Sequence, residues 1–208
     1  MQVTDKIQIT NEDNMLLMAR YPDNYFDLAI VDPPYGINAG KMTMGNGKHN
    51  FTKGKDWDSN TPSDNYFKEL FRVSKNQIIW GGNYFELPLN NNWLIWDKLN
   101  PNLSFSEAEL AWCSINKNIR IFKRYSAMED DDGKKQHPTQ KPIDLYRWVL
   151  NKYAKQFDKI LDTHLGSGSI AIACHDYDFE LTACELDKEY FDKAVQRIKN
   201  HTAQVKMF

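Results

Sequence analysis

No apolar run in the 208-residue sequence approaches the roughly 18 residues needed to cross a membrane, so no membrane association is expected. The first residues, Met1-Gln2-Val3-Thr4-Asp5-Lys6, lack the basic-then-apolar pattern of a secretory signal. Cysteine is scarce too. Cys113, Cys174 and Cys184 are odd in number and have no ligand-type spacing, which argues against a disulfide framework or a cysteine metal site. Reduced core thiols and a cytoplasmic location are the expectation. Positive charge is in no surplus: the net charge is −2, unlike a non-specific nucleic-acid binder, which is usually basic. Local positive charge remains, in Lys41, Lys48, His49, Lys53 and Lys55 and again in Lys117, Arg120, Lys123 and Arg124.

What the chain does have is enough apolar and aromatic content, 41% and 13%, for a folded globule with a sizeable core. Its most informative stretch is Phe26-Asp27-Leu28-Ala29-Ile30-Val31-Asp32-Pro33-Pro34-Tyr35-Gly36. Leu28 to Val31 is a short, continuous apolar run, the pattern of a buried parallel strand. Asp32 falls at its carboxyl end, where open α/β sheets place ligands. Two prolines remove two backbone donors and leave carbonyls free to accept. A carboxylate, a bare carbonyl and the flat ring of Tyr35 together suit a planar group bearing an –NH2. Two acceptors on that amine would pull its nitrogen toward sp3 and release the lone pair for attack.

Asp32-Pro33-Pro34-Tyr35 resembles the catalytic motif of amino-methyltransferases acting on DNA, which methylate adenine N6 or cytosine N4. Aspartate at the first position is the usual adenine form. The resemblance implies S-adenosylmethionine as cofactor and a catalytic set of Asp32, Pro33, Pro34 and Tyr35, with Asp32 also near the cofactor. It implies double-stranded DNA as partner, with the target base flipped out of the helix because the duplex hides the amine. Related enzymes often dimerise, so a homodimer is a further expectation, as is a restriction-modification context.

Before the motif, Ile7-Gln8-Ile9-Thr10 reads as a strand and Met15-Leu16-Leu17-Met18 as a helix that Asp13 would cap. In the family an acid at this distance follows a glycine and contacts the cofactor's adenine ring; here Glu12 replaces the glycine. The resemblance therefore carries the role to Asp13. After the motif, residues 36–62 hold five glycines and several lysines without periodicity. A loop this long is usually functional or disordered, and a mobile flap over the site is expected, with Trp57, Asp56 and Asp58 at its end. Asn65 to Val73 has helical spacing. Gln77-Ile78-Ile79-Trp80 and Trp93 to Lys98 read as strands, and Glu109–Ile115 with Ile119–Phe122 as a hairpin-like pair. Trp96-Asp97-Lys98 and Phe105-Ser106-Glu107 resemble segments lining the base pocket of related methylases.

An acidic segment, 128–135, separates the two halves. His137-Pro138-Thr139-Gln140-Lys141-Pro142 then leads into a helix running to about Lys155, with Leu145, Trp148, Val149 and Tyr153 as its buried stripe and Pro142 suited to its first turn. The string resembles the family segment that puts Thr139 and Lys141 near the cofactor's methionine end.

Lys159 to Ser169 reads as strand, glycine turn and helix, and Thr182-Ala183-Cys184-Glu185 as a second strand ending in an acid. Gly166, Gly168, Ala171 and Glu185 also satisfy a dinucleotide fingerprint, so this half alone leaves NAD and S-adenosylmethionine both open. Asp162, four residues before the first glycine, matches the Asp-x-x-x-Gly-x-Gly arrangement of S-adenosylmethionine enzymes. The resemblance places Asp162, His164, Leu165, Gly166, Ser167, Gly168, Glu185 and Leu186 around the cofactor; the family commonly has Phe where this chain has His164. No metal site is expected.

With the catalytic motif first and the cofactor loop second, the order resembles the β group of amino-methyltransferases. The expected fold is Rossmann-like α/β: a mainly parallel sheet of about seven strands with helices on both faces. The expected organisation is one methyltransferase domain over residues 1–208, with a small recognition region at 97–137 and a cofactor-binding half at 138–200. The activity implied is adenine-N6 methylation of DNA. Cytosine-N4 or RNA adenine methylation, a nicotinamide-dependent oxidoreductase and an inactive DNA-binding module are the alternatives.

Overall fold

The computed structural model describes residues 1–38, 58–100, 106–116, 118–126 and 140–203. Residues 39–57 of the expected flap, the basic residues Lys41 to Lys55, Trp57, Phe105, Lys117, the acidic segment and His137 to Thr139 lie outside them.

Short strands alternate with helices except midway along the chain, where four strands follow one another without an α-helix between them. The elements are β1 (Ile7–Thr10), α1 (Asn14–Met18), β2 (Leu28–Val31), α2 (Asp64–Val73), β3 (Gln77–Trp80), β4 (Trp93–Asp97), β5 (Ala108–Cys113), β6 (Arg120–Lys123), α3 (Ile143–Tyr153), β7 (Lys159–Asp162), α4 (Ser169–Asp176), β8 (Glu180–Cys184) and α5 (Lys188–Thr202). They build one 8-stranded sheet in the order β1-β8-β7-β2-β3-β5-β4-β6, one strand more than expected. Only β5 runs antiparallel to its neighbours; every other pairing among the described strands is parallel.

The two-residue period of a strand divides the core. In β2, Leu28 and Ile30 face a cluster that includes Ile143, Val149, Ile170 and Ile198 of α3, α4 and α5. Ala29 and Val31 face the opposite cluster, with Leu17 of α1 and Tyr66, Phe67 and Leu70 of α2. Helices thus cover both faces. Full burial of each Ile or Val contributes about 1.5–3 kcal/mol, and all four β2 residues are buried. In α3 the buried stripe is Ile143, Leu145, Tyr146, Val149, Leu150 and Tyr153. Trp148 instead packs half-buried on Phe122 at 5.5 Å. All three cysteines are buried free thiols.

The expected β5–β6 hairpin is not formed. Strand β4 lies between them, with Ile95 opposite Leu110 on one side and Ile121 on the other. Sequence proximity suggested a hairpin, but the aromatic and aliphatic residues of β4 claim the inner position and leave the more polar β6 at the edge.

This topology sets the site. The carboxyl ends of β1, β2, β7, β8, β3 and β4 all emerge at one edge of the sheet. Because β5 is reversed, its amino end joins them there. No helix among the described residues is long and apolar enough to cross a membrane.

Candidate active site

Order reverses between β2 and β7: the chain builds outward from β2 through β3, then returns to insert β7 and β8 between β2 and β1. Open α/β sheets bind ligands above such a switch point. A cavity of about 570 Å3 opens there. Of the residues expected to act, Asp13, Asp32, Pro34, Lys141, His164, Leu165, Gly166, Ser167, Glu185 and Leu186 line it. Pro33, Tyr35, Asp162 and Gly168 lie behind that lining, next in sequence or in hydrogen-bond contact with it. Thr139 lies outside the described residues.

The wall around the Gly166 turn is shaped largely by backbone. Gly166 and Gly168 take φ of +54° and +79°, a left-handed conformation that L side chains resist. Gly168 caps α4, so the helix presents its free N–H groups near the turn. Glu185 holds the turn closed: Oε2 accepts from the Gly166 N–H and Oε1 from the Asp187 N–H, both at 2.9 Å. Burial pushes its carboxyl up. Asn11 anchors the same strand end by donating to the carbonyls of Glu185 and Leu186.

Asp162 is 2% exposed and accepts from the His164 N–H at 3.0 Å. Burial drives its carboxyl up to about 8, with Asp32 and Glu185 adding repulsion. It supports the wall from beneath.

Asp13 caps α1, accepting from the Met15 and Leu16 N–H groups, and still borders the cavity. Glu12, which stands where the family has glycine, pairs with Arg20 through two 2.6 Å contacts. His164 is held on both ring nitrogens. Asn14 Nδ2 lies 3.0 Å from Nε2, and Thr163 Oγ1 lies 2.9 Å from Nδ1. With Asn14 donating, the ring proton sits on Nδ1 and points at Thr163, which in turn meets Tyr66 OH at 2.7 Å. Burial lowers the imidazole to about 4, so it is neutral. His164 is a fixed, uncharged part of the wall.

The opposite wall is built from ions. Asp32 Oδ1 accepts from Tyr35 OH at 2.5 Å, and Oδ2 lies 2.5 Å from Lys141 Nζ. Lys141 is 3% exposed and also donates to Tyr35 OH at 3.1 Å. Burial raises the Asp32 carboxyl against the opposing pull of Lys141. Tyr35 stacks on Tyr84 with ring centroids 5.1 Å apart and planes at 11°. A side chain at Gly81 would overlap the Tyr35 ring, so this glycine leaves room for the aromatic. Asp58, in the described end of the 36–62 stretch, receives the Tyr35 and Gly36 N–H groups at 2.6 and 3.0 Å and fixes the Pro-Pro turn.

Sequence reasoning missed two charged residues here. Glu109 of β5 lies 3.0 Å from Lys141, and Lys98 lies 2.7 Å from Glu109. In the sequence Lys98 stands out only within Trp96-Asp97-Lys98 and Glu109 only as part of a strand. The available signal was an acid inside an otherwise apolar strand, Ala-Glu-Leu-Ala-Trp-Cys.

A family model described as DNA methylase, of the N6/N4 type, matches residues 79–196, more than half of the chain. The type II methyltransferase M2.DpnII of Streptococcus pneumoniae is 24% identical over 94% of this chain and 90% of its own length. Among solved structures, the M1.HpyAVI–SAM complex has a TM-score of 0.57 at 20% identity, covering 92% of this chain and 98% of the other. The cytosine-N4-specific PvuII DNA methyltransferase has a TM-score of 0.64 at 15% identity, covering 96% and 91%.

Proposed function

We propose that this chain, which belongs to the N6/N4 DNA methylase family, transfers a methyl group from S-adenosylmethionine to the N6 amine of adenine in double-stranded DNA. DNA methyl transfer is the family's chemistry. The choice of adenine N6, the flipped base and the roles of individual residues are our reading.

One observation carries it. Asp32 stands at the rim of a cavity whose other wall is the Gly166–Ser167 turn and Glu185, so an acceptor for an amine faces a site suited to a nucleoside. The residues fit S-adenosylmethionine. Glu185 and Asp162 have no lysine or arginine ion partner among the described residues, and Asp162 is raised to about 8, a state that an incoming positive charge would relieve. When bound, S-adenosylmethionine supplies an electrophilic methyl group. Glu185 keeps lone pairs free for ribose hydroxyls, and the Gly166–Ser167 backbone permits close approach.

On the other wall, Asp32 accepts a hydrogen from the substrate amine, helped by the Pro33 carbonyl, and takes the proton that the methylated nitrogen sheds. Tyr35 offers its ring to the base. Positioning is the main demand of in-line transfer. Extrusion of the base from the duplex brings the amine within reach of Asp32.

Tritium transfer from labelled S-adenosylmethionine to unmethylated genomic DNA, followed by nucleoside analysis, tests this. Label in N6-methyldeoxyadenosine is expected. Label in N4-methyldeoxycytidine would keep the mechanism and change the base, and no label in DNA would overturn the reading.

A further inference from the structure

The reactive carboxylate does not meet a single counter-ion. It heads a row of four alternating charges, Asp32, Lys141, Glu109 and Lys98, along the carboxyl edge of the sheet, with successive separations of 2.5, 3.0 and 2.7 Å. The fold aligns them. Ala111 of β5 stands opposite Trp80, and Glu109 shares its face two residues nearer the edge. Lys141, just before α3, drops between Asp32 and Glu109, 5.4 Å from the Trp80 ring centre.

A lysine that only neutralised Asp32 would need no second acid. Each added charge in a secluded site costs desolvation, and the Asp32 and Glu109 side chains are only 21% and 20% exposed. Glu109 Oε2 lies 3.0 Å from Lys141 and takes no other hydrogen bond from the described residues. It therefore has capacity in reserve for Lys141. Both Asp32 oxygens, by contrast, are engaged, one by Tyr35 and one by Lys141. A substrate amine can be accepted only when one of these contacts loosens.

We propose that Glu109 is a positioning residue for the reactive carboxylate: by sharing Lys141 with Asp32 it releases an Asp32 oxygen to the substrate amine. Lys98, on the far oxygen of Glu109, sets how strongly Glu109 competes. The inference rests on Asp32 acting as proposed above. The charged and titratable groups facing Asp32 are Tyr35 beyond β2, Tyr66 of α2, Lys141 and Tyr146 at α3, Glu109 of β5 and Asp162 of β7. Of these, Tyr35 meets the lysine through a neutral hydroxyl, and Glu109 is the one that holds it with a second negative charge. Burial opposes its ionisation, but Lys141 and Lys98 hold it down to about 2, so it stays an anion throughout the working range.

Glu109→Gln removes the competitor and a negative neighbour, so Lys141 settles on Asp32 and the Asp32 carboxyl titrates at lower pH. Turnover should fall roughly tenfold while the acid limb of the kcat–pH profile moves down by about one unit. Glu109→Asp should recover part of the loss. Lys98→Met should move the titration up, opposite to Glu109→Gln, because Glu109 then pulls harder on Lys141.

The decisive experiment is a 13C-carboxyl NMR titration of Asp32, assigned with Asp32→Asn, run beside the kcat–pH profile and S-adenosylmethionine affinity of each variant. Opposite shifts in Glu109→Gln and Lys98→Met, with cofactor affinity within about twofold of the original, are expected. An Asp32 titration that does not move in Glu109→Gln, or moves up, would overturn the inference even if activity fell. The titration needs no turnover, so a protein that methylates no DNA would sink the functional reading and leave the sharing of Lys141 to be decided separately.

Discussion

Asp162 and Glu109 are both acids at the same edge of one sheet, yet they stand in opposite electrostatic states. Asp162, beneath the proposed cofactor wall, is raised to about 8 because burial is countered mainly by a single backbone N–H and Asp32 and Glu185 add to it. Glu109, beside the reactive wall, is lowered to about 2 because Lys141 and Lys98 outweigh the same burial. The acids of one wall thus have no lysine or arginine ion partner among the described residues, and those of the other are paired. The wall whose acids Asp162 and Glu185 have no lysine or arginine ion partner among the described residues suits a ligand that brings a cation. The wall that is balanced suits a step in which charge shifts within the protein. Construction differs accordingly: glycine backbone and N–H donors on one side, interlocked side-chain ions on the other.

The largest test of this division separates the walls by single substitutions. Asp32→Ala should lower methyl transfer by about two to four orders of magnitude and leave S-adenosylmethionine binding, followed by calorimetry, nearly intact. Glu185→Ala should do the reverse in emphasis. It removes the carboxylate that accepts from the Gly166 and Asp187 N–H groups and should weaken cofactor binding by about ten- to a hundredfold. Equal loss of binding in both variants would show that the walls are not separable.

The glycines sharpen the same contrast. Gly81→Ala would push Tyr35 from its place, so kcat should fall with cofactor affinity retained. Gly168→Ala puts a Cβ 3.0 Å from Ile198 at φ +79°. It should cost about 1–2 kcal/mol of stability in a denaturant titration and weaken the cofactor site.

Charge deficiency also predicts proton release. At pH 7 Asp162 is largely protonated, and a bound cation would ionise it, so cofactor binding should release up to one proton in calorimetry across buffers of different ionisation enthalpy. Asp162→Asn should abolish that release. The smallest effect concerns His164. Its folded value is lowered from 6.5 to about 4, so its neutral form stabilises the fold above pH 6.5, and that contribution is lost as pH falls from 6.5 through 4. His164→Phe should flatten stability over that window relative to the unaltered protein; an unchanged slope would remove the buried, neutral assignment.

Much of the fold was legible because it is written in short-range pattern. The apolar run Leu28 to Val31, the acid after it, the two glycines after Asp162 and the acid ending β8 each encode a strand end or a turn locally. The β5–β6 pairing misled because sequence neighbours compete with a third strand that only burial selects. Glu12 and Asp13 were legible as residues but not in detail, since the Arg20 pair of Glu12 depends on where α1 ends.

Local pattern by itself therefore determined the alternating α/β architecture, the positions of Asp32, Asp162 and Glu185 at strand ends, and the glycine turn between β7 and α4. These follow from hydrophobic period and backbone permission, both properties of a few adjacent residues. Only the tertiary structure decided that Lys141 would sit between Asp32 and Glu109, because the three are far apart in sequence and meet only when β5 runs backward beside β3. Ion pairing of that kind depends on distances of a few ångströms between separate elements, and no spacing along the chain records it.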